Sequence, residues 1–227
     1  MPRRPGHQPD DSARRHPPGR PRKPAEQLPK PPRKAIVGLR IIGGRFRGRR
    51  LTYHGAPDTR PMKDRVREAV FNLIWPAAEG AVAIDLFAGT GALGLEALSR
   101  GAVAAWLIEA HRAAASAIRK NVETLGVTDC TRVVVADTFA WVRSALTGEL
   151  ANRREPWLVF CCPPYEYYVS RDQQLLQMLE EIAAVAPPAS TIVVECDRRF
   201  DTNRLPATLS WDIRQYPPAV IAIGRKQ

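Results

Sequence analysis

From residue 82 onward, short continuous apolar runs alternate with stretches in which apolar positions recur every third or fourth residue. VAIDLF (82–87), AAWLIE (104–109), RVVVAD (132–137), WLVFCC (157–162) and TIVVEC (191–196) have the length and even apolarity of strands buried on both faces. Amphipathic helices are predicted between them, near 92–100, 111–125, 138–147 and 171–185. In the second, Ala114, Ile118, Val122 and Leu125 form one stripe that stops at Gly126. An earlier helix runs from Pro61, with Val66, Val70 and Leu73 at helical spacing, and ends before Pro76. This alternation predicts an α/β fold, a mostly parallel sheet with helices on both faces. LSWDIRQY (209–216) and AVIAIG (219–224) are separated only by Pro217-Pro218, so they form a hairpin that adds an antiparallel strand.

The segment before residue 61 follows different rules. Residues 1–34 hold ten prolines and almost no large apolar side chain, and they read as a disordered basic arm. Residues 36–54, IVGLRIIGGRFRGRRLTYH, alternate apolar and basic positions around glycines, the pattern of a small β-ribbon with arginines on one face. The expected organisation is therefore arm 1–34, ribbon 35–60 and α/β domain 61–227.

Charge sharpens that division. The chain carries +11 overall, with +7 in residues 1–34, another +7 in residues 38–67 and −3 from Glu68 to the end. Five arginines fall between residues 40 and 50 without one acid, which favours a nucleic-acid-facing ribbon over a solvated edge strand. Arg40, Arg45, Arg47, Arg49 and Arg50 are the candidates for phosphate contact, with Phe46 placed to stack on a base. No apolar run approaches the ~18 residues of a membrane span. The arginine-rich start has no hydrophobic core like that of a secretory signal. The four cysteines show no C-x-x-C pairing and the four histidines no ligand spacing, which point to reduced thiols, a cytoplasmic setting and no metal.

Chemistry concentrates at two strand ends. The first strand enters Asp85-Leu-Phe-Ala-Gly89-Thr-Gly91-Ala-Leu-Gly94, where glycines let the backbone approach a ligand at a helix N-terminus. Glu109 ends the second strand, where a carboxylate can accept both hydroxyls of a ribose, and Asp137 ends the third, beside the expected adenine. A dinucleotide and S-adenosylmethionine both fit this loop. Asp85 decides for the second, because an acid there binds the ammonium of a methionine group but repels a pyrophosphate. At the fourth strand end stands Cys161-Cys162-Pro163-Pro164-Tyr165. Two prolines hold the backbone extended, so carbonyls can face an exocyclic amine while Tyr165 stacks on its base, with Tyr167 and Tyr168 nearby.

RIIGGRFRGRRL, TRPMKDRVREAVFN, DLFAGTGALGLEALSRGA and the PPY loop together resemble the RsmD family, bacterial enzymes that methylate a guanine N2 of 16S ribosomal RNA. The resemblance spans roughly residues 38–224. It implies a seven-stranded Rossmann-like class I methyltransferase fold, S-adenosylmethionine as donor, and 16S RNA or a small-subunit particle as partner of a cytoplasmic monomer. By position it implies Arg60, Asp85, Phe87, Gly89, Thr90, Gly91, Glu109 and Asp137 at the cofactor. It places Cys162, Pro163, Pro164 and Tyr165 at the target base, and Arg65 with the ribbon's arginines toward RNA. Two positions depart from the family. Met62 follows Arg-Pro where a small hydroxyl residue is usual, and Cys162 stands where the family has aspartate before the two prolines. A thiol is a weak acceptor, so one alternative is an RNA-binding assembly factor that has lost turnover. A nucleophilic Cys162 fits poorly, since pyrimidine-alkylating relatives place their cysteine after the proline. A protein glutamine methyltransferase, which also uses a Pro-Pro-Tyr loop, leaves the arginine ribbon without a purpose. A nicotinamide dehydrogenase leaves Asp85 and the PPY loop without one.

Overall fold

The computed structural model describes residues 38–53 and 62–227. The expected arm, Arg60 and Pro61 lie outside these residues.

β1 (Val82–Asp85) and β4 (Trp157–Cys161) are buried along their whole length, which places them at the middle of the sheet. β2 (Ala104–Ile108) and β3 (Thr131–Val134) extend it on one side, and β5 (Thr191–Asp197), β7 (Ala219–Arg225) and β6 (Ser210–Tyr216) on the other. The order is β3-β2-β1-β4-β5-β7-β6. β1 to β5 are parallel, while β7 inserts antiparallel between β5 and β6, forming the expected hairpin.

Successive side chains on each strand feed two separate cores. Ala83, Leu158, Phe160 and Val193 face α1 (Asp64–Leu73), α2 (Ala92–Ser99) and α3 (Arg112–Leu125). Ile84, Val159, Cys161 and Val194 face α4 (Thr138–Thr147) and α6 (Asp172–Val185). The sequence pattern did not announce the one-turn α5 (Tyr167–Ser170) that follows the PPY loop. α3 ends as predicted, with Gly126 at φ 67° and the Val127 N–H bonded back to Val122. β1 to β4 stop one to three residues short of the apolar runs, whereas β5 continues one residue beyond its own. Phe87, Glu109, Asp137 and Cys162 follow those four strand ends at the carboxyl edge. All four cysteines are free thiols. No helix among the described residues is long and apolar enough to cross a membrane.

The segment 38–53 is a distorted hairpin rather than a regular ribbon. Its ladder reduces to the Arg40–Arg50 bridge, flanked by Ile41 N–H to Arg49 O and Leu51 N–H to Leu39 O, both 2.9 Å. A 3₁₀ turn at Gly44–Phe46 makes the tip. Leu39, Ile41, Leu51 and Tyr53 face inward and are buried, and the arginines face solvent. The hairpin lies along α2, which explains why that helix is buried on every side. Two polar side chains of α2 hold the hairpin backbone. Glu96 accepts from the Ile42 and Gly43 N–H groups, each at 2.7 Å, and Ser99 Oγ accepts from Phe46 N–H at 2.9 Å. Asn121 of α3 bonds both backbone groups of Thr52. Gly44 has φ 72°, and a Cβ there would fall 1.9 Å from the Ser99 carbonyl oxygen, so only glycine fits.

Candidate active site

At the carboxyl edge the glycine turn is held from two sides. Gly89 and Gly91 adopt φ of 53° and 75°. A Cβ on Gly94 would lie 2.1 Å from a Leu107 methyl, confirming close packing of α2 on the sheet. Glu109, just past β2, accepts from the Gly89 N–H at 2.7 Å and from the His111 N–H at 2.8 Å, so its carboxylate already clamps the turn. Thr90 Oγ1 accepts from the Ala92 N–H at the start of α2. Asp85, the last residue of β1, is buried; its Oδ2 accepts from Gly94 N–H at 3.3 Å and its Oδ1 has no partner. Burial, with a smaller push from Glu109, raises its carboxyl from 3.8 to about 7, opposed by the Gly94 N–H. An unpartnered, buried carboxylate oxygen beside a glycine turn fits a cationic hydrogen-bond donor.

Asp137 sits outside the strand, capping α4 by accepting from Ala140 N–H at 3.0 Å, with Arg171 at 3.6 Å. Phe87 is half-buried, its ring 6.1 Å from both Phe139 and Tyr167. That aromatic patch, with the Arg171 guanidinium 4.8 Å from the Tyr167 ring, borders the same edge.

The PPY loop follows β4 directly. Cys161 faces the α4–α6 core, and the half-buried Cys162 faces the opposite core, on the same side of the sheet as Asp85. Burial, then Glu195 and Asp85, push the Cys162 thiol well above its ordinary range, so it is a neutral thiol and not a nucleophilic thiolate. Pro163 is buried, Pro164 is exposed and Tyr165 is half-buried. The Tyr165 hydroxyl donates to Glu195 Oε1 at 2.8 Å. Of the two tyrosines expected nearby, Tyr168 is buried against Phe200 and Tyr167 belongs to the Phe87 patch, so neither shares the position of Tyr165.

Glu195 is the residue sequence reasoning passed over. Its signal was an acid inside the apolar run TIVVEC, a position that burial disfavours unless the side chain has a partner. Arg67, one of the charges counted in the basic stretch 38–67, does not belong to its surface. It is fully buried, donating to the Arg40 carbonyl at 2.6 Å and to Asp64 at 3.0 Å, 4.0 Å from Glu96.

The candidate RNA contacts do not gather at the carboxyl edge. Arg45, Arg47, Arg49 and Arg50 are exposed around the hairpin tip and its return strand, Arg40 lies at its base 3.6 Å from Asp64, and Arg65 is exposed on α1. Arg49 donates to the Thr124 carbonyl, and the Arg45 guanidinium lies 4.6 Å from the centre of the Phe46 ring, which is half-buried. The tip reaches Ser99, at the far end of α2 from the glycine turn. A cavity of about 490 Å³ opens there between Arg45, Arg100 and the exposed Trp75.

Comparison with known proteins agrees with this geometry. Residues 39–216 match the family model described as conserved hypothetical protein 95. The ribosomal RNA small subunit methyltransferase D of Escherichia coli K12 is 37% identical over 184 residues, covering 81% of this chain and 87% of that protein. The solved structure of yhhF from Escherichia coli superposes with a TM-score of 0.65 at 32% identity, covering 83% of this chain and 98% of that one. An RNA methyltransferase from Salinibacter ruber, solved with S-adenosyl-L-homocysteine, shares the fold at 18% identity and a TM-score of 0.52, over 74% of this chain and 95% of that one. The expected seven-stranded, Rossmann-like class I methyltransferase fold is thus the fold observed, and the chain belongs to the conserved hypothetical protein 95 family, that of ribosomal RNA small subunit methyltransferase D.

Proposed function

We propose that this protein transfers a methyl group from S-adenosylmethionine to the exocyclic N2 of a guanine in small-subunit ribosomal RNA. The observation that carries the reading is the pairing, on adjacent strands and one face, of a buried carboxyl with a free oxygen at Asp85 and the Pro163-Pro164-Tyr165 loop. Kinship with ribosomal RNA small subunit methyltransferase D supports RNA as the substrate.

Asp85 would take the cofactor's ammonium, the Gly89–Gly91 backbone its methionine portion, and Glu109 its ribose hydroxyls. Asp137 and Phe87 would border the adenine; the family resemblance implies a cofactor role for Arg60, which is outside the described residues. Bound there, the cofactor supplies an electrophilic methyl group on a positively charged sulfur. The protein's own contribution is positional. The extended prolines present carbonyls to the amine of a base flipped out of its stack, and Tyr165 lies against that base, so the nitrogen lone pair points along the transfer axis. The exposed arginines of the hairpin and Arg65 would hold phosphates.

The test is transfer of labelled methyl from S-adenosylmethionine to small-subunit RNA and to partly assembled particles, with nucleoside analysis of the product. N2-methylguanosine is the expected product. Cofactor and RNA binding without transfer would instead identify a non-catalytic assembly factor.

A further inference from the structure

An exocyclic amine is a poor nucleophile because its lone pair is drawn into the ring. An acceptor must hold one N–H and take up charge as the new bond forms. The strand-end residue of the PPY loop does not meet that need: Cys162 is a neutral, partly buried thiol and a weak acceptor. Several carboxyl groups reach this end of the same face, and most are committed elsewhere. Asp85 is set deep behind the glycine turn, Glu109 accepts from the Gly89 and His111 N–H groups, and Asp197 pairs with Arg199. The remaining one is Glu195.

β4 and β5 pair in parallel, Phe160 with Val193 and Cys161 with Val194, so the next step brings Cys162 level with Glu195. Alternation along β5 sends Glu195 to the Val193 side, the side that Cys162 and Asp85 share. Its Oε1 receives the Tyr165 hydroxyl at 2.8 Å, and among the described residues its Oε2 makes no hydrogen bond or ion pair. The groups around it are Cys162 and Tyr165 of the β4 strand and loop, Tyr168 behind them, Cys196 and Asp197 on its own strand, and Ile221 opposite on β7. None is a cation.

We propose that Glu195, reaching across from β5, supplies the carboxylate of this site: its free oxygen accepts the N–H of the target amine while its other oxygen holds Tyr165 in place. As N2 bonds to the methyl carbon and the carbon–sulfur bond breaks, the sulfur keeps that electron pair and loses its charge, and the N2 proton passes to Glu195 and then to solvent. Burial raises the Glu195 carboxyl above its ordinary range, which suits it to receive that proton. The inference rests on the methyltransferase reading above.

Single-turnover methyl transfer to small-subunit particles lacking the modification, followed from pH 5.5 to 8.5, tests it, with S-adenosylhomocysteine affinity measured by calorimetry on the same variants. E195Q is expected to slow transfer roughly ten- to a hundred-fold, the effect of losing one charge-assisted hydrogen bond, at unchanged affinity. The wild-type rate should fall at acid pH as Glu195 takes its proton, and E195Q should lack that limb. Y165F, which keeps the carboxylate, should keep the limb. C162D/E195Q, which returns a carboxylate one strand away, should recover most of the lost rate. An E195Q rate within twofold of wild type would overturn the inference. So would a Y165F variant that reproduces E195Q in rate and pH profile, since Glu195 would then act only by propping the tyrosine. A wild type silent on every form of small-subunit RNA would overturn the methyltransferase reading itself.

Discussion

Burial works against the charge that the proposed function asks of Asp85, and the conflict has measurable signs. The folded chain keeps this proton up to about pH 7, whereas the unfolded chain releases it near 3.8. The folded state therefore binds more protons in that window, so this carboxyl subtracts stability as pH rises from about 4 to 7, and the loss is complete above it. An ammonium ligand favours the ionised form. S-adenosylhomocysteine affinity should therefore weaken by about tenfold per pH unit below 7 and release a proton on binding, both readable by calorimetry in buffers of different ionisation enthalpy. D85A should abolish binding while leaving the fold intact. An affinity flat from pH 5.5 to 7.5 in the wild type would remove Asp85 from the ammonium site. The position of Asp85 beside the glycine turn was legible in the sequence because its spacing from Gly89 is local. Glu195 was not, because its meaning comes from lying beside Cys162, which is 33 residues away in the chain and adjacent only in the sheet.

Among the elements, the hairpin and α2 behave as one unit. Glu96 is fully buried and receives two backbone N–H groups and Arg100, with Arg67 4.0 Å away. E96A would leave the two N–H groups and Arg100 without their acceptor and remove the buried charge facing Arg67, which costs about 3–5 kcal/mol. Urea unfolding should show that loss as a lower midpoint with little change in slope, and a loss below about 1 kcal/mol would mean that the hairpin is held chiefly by its apolar side chains. The strands and helices themselves were readable from periodicity, since continuous apolar runs and 3.6-residue stripes are set by local burial. Their ends were not. Leu86-Phe87 and Val135-Ala136 remain apolar after the ladder stops, so composition cannot mark where a strand gives way to a site loop. The regular ribbon expected at 36–54 fails for a related reason: Gly43 and Gly44 are there to approach Arg100 and Ser99 of α2, not to turn a plain hairpin.

Across the whole molecule, charge and chemistry occupy different places. The exposed arginines surround the hairpin, while Asp85, Glu109 and Glu195 lie at the carboxyl edge, and α2 spans the distance between the hairpin tip and the glycine turn. If the hairpin holds phosphates, replacing Arg45, Arg47 and Arg50 together with alanine should lower the slope of log affinity against log salt by roughly 2–3, near 0.7–0.9 per lost contact. Cofactor affinity should not change, and an unaltered slope would place the RNA elsewhere. The docking of the hairpin carries one more consequence. Its four inward side chains seal the outer side of a helix that is buried on every side, and Glu96, Ser99 and Asn121 commit their polar atoms to its backbone. A chain trimmed to begin after residue 53 would expose that helix and strand a charged pair inside an opened core. Any trimmed version of this protein must keep the hairpin: its basic surface can be retuned one arginine at a time, but not exchanged as a cassette.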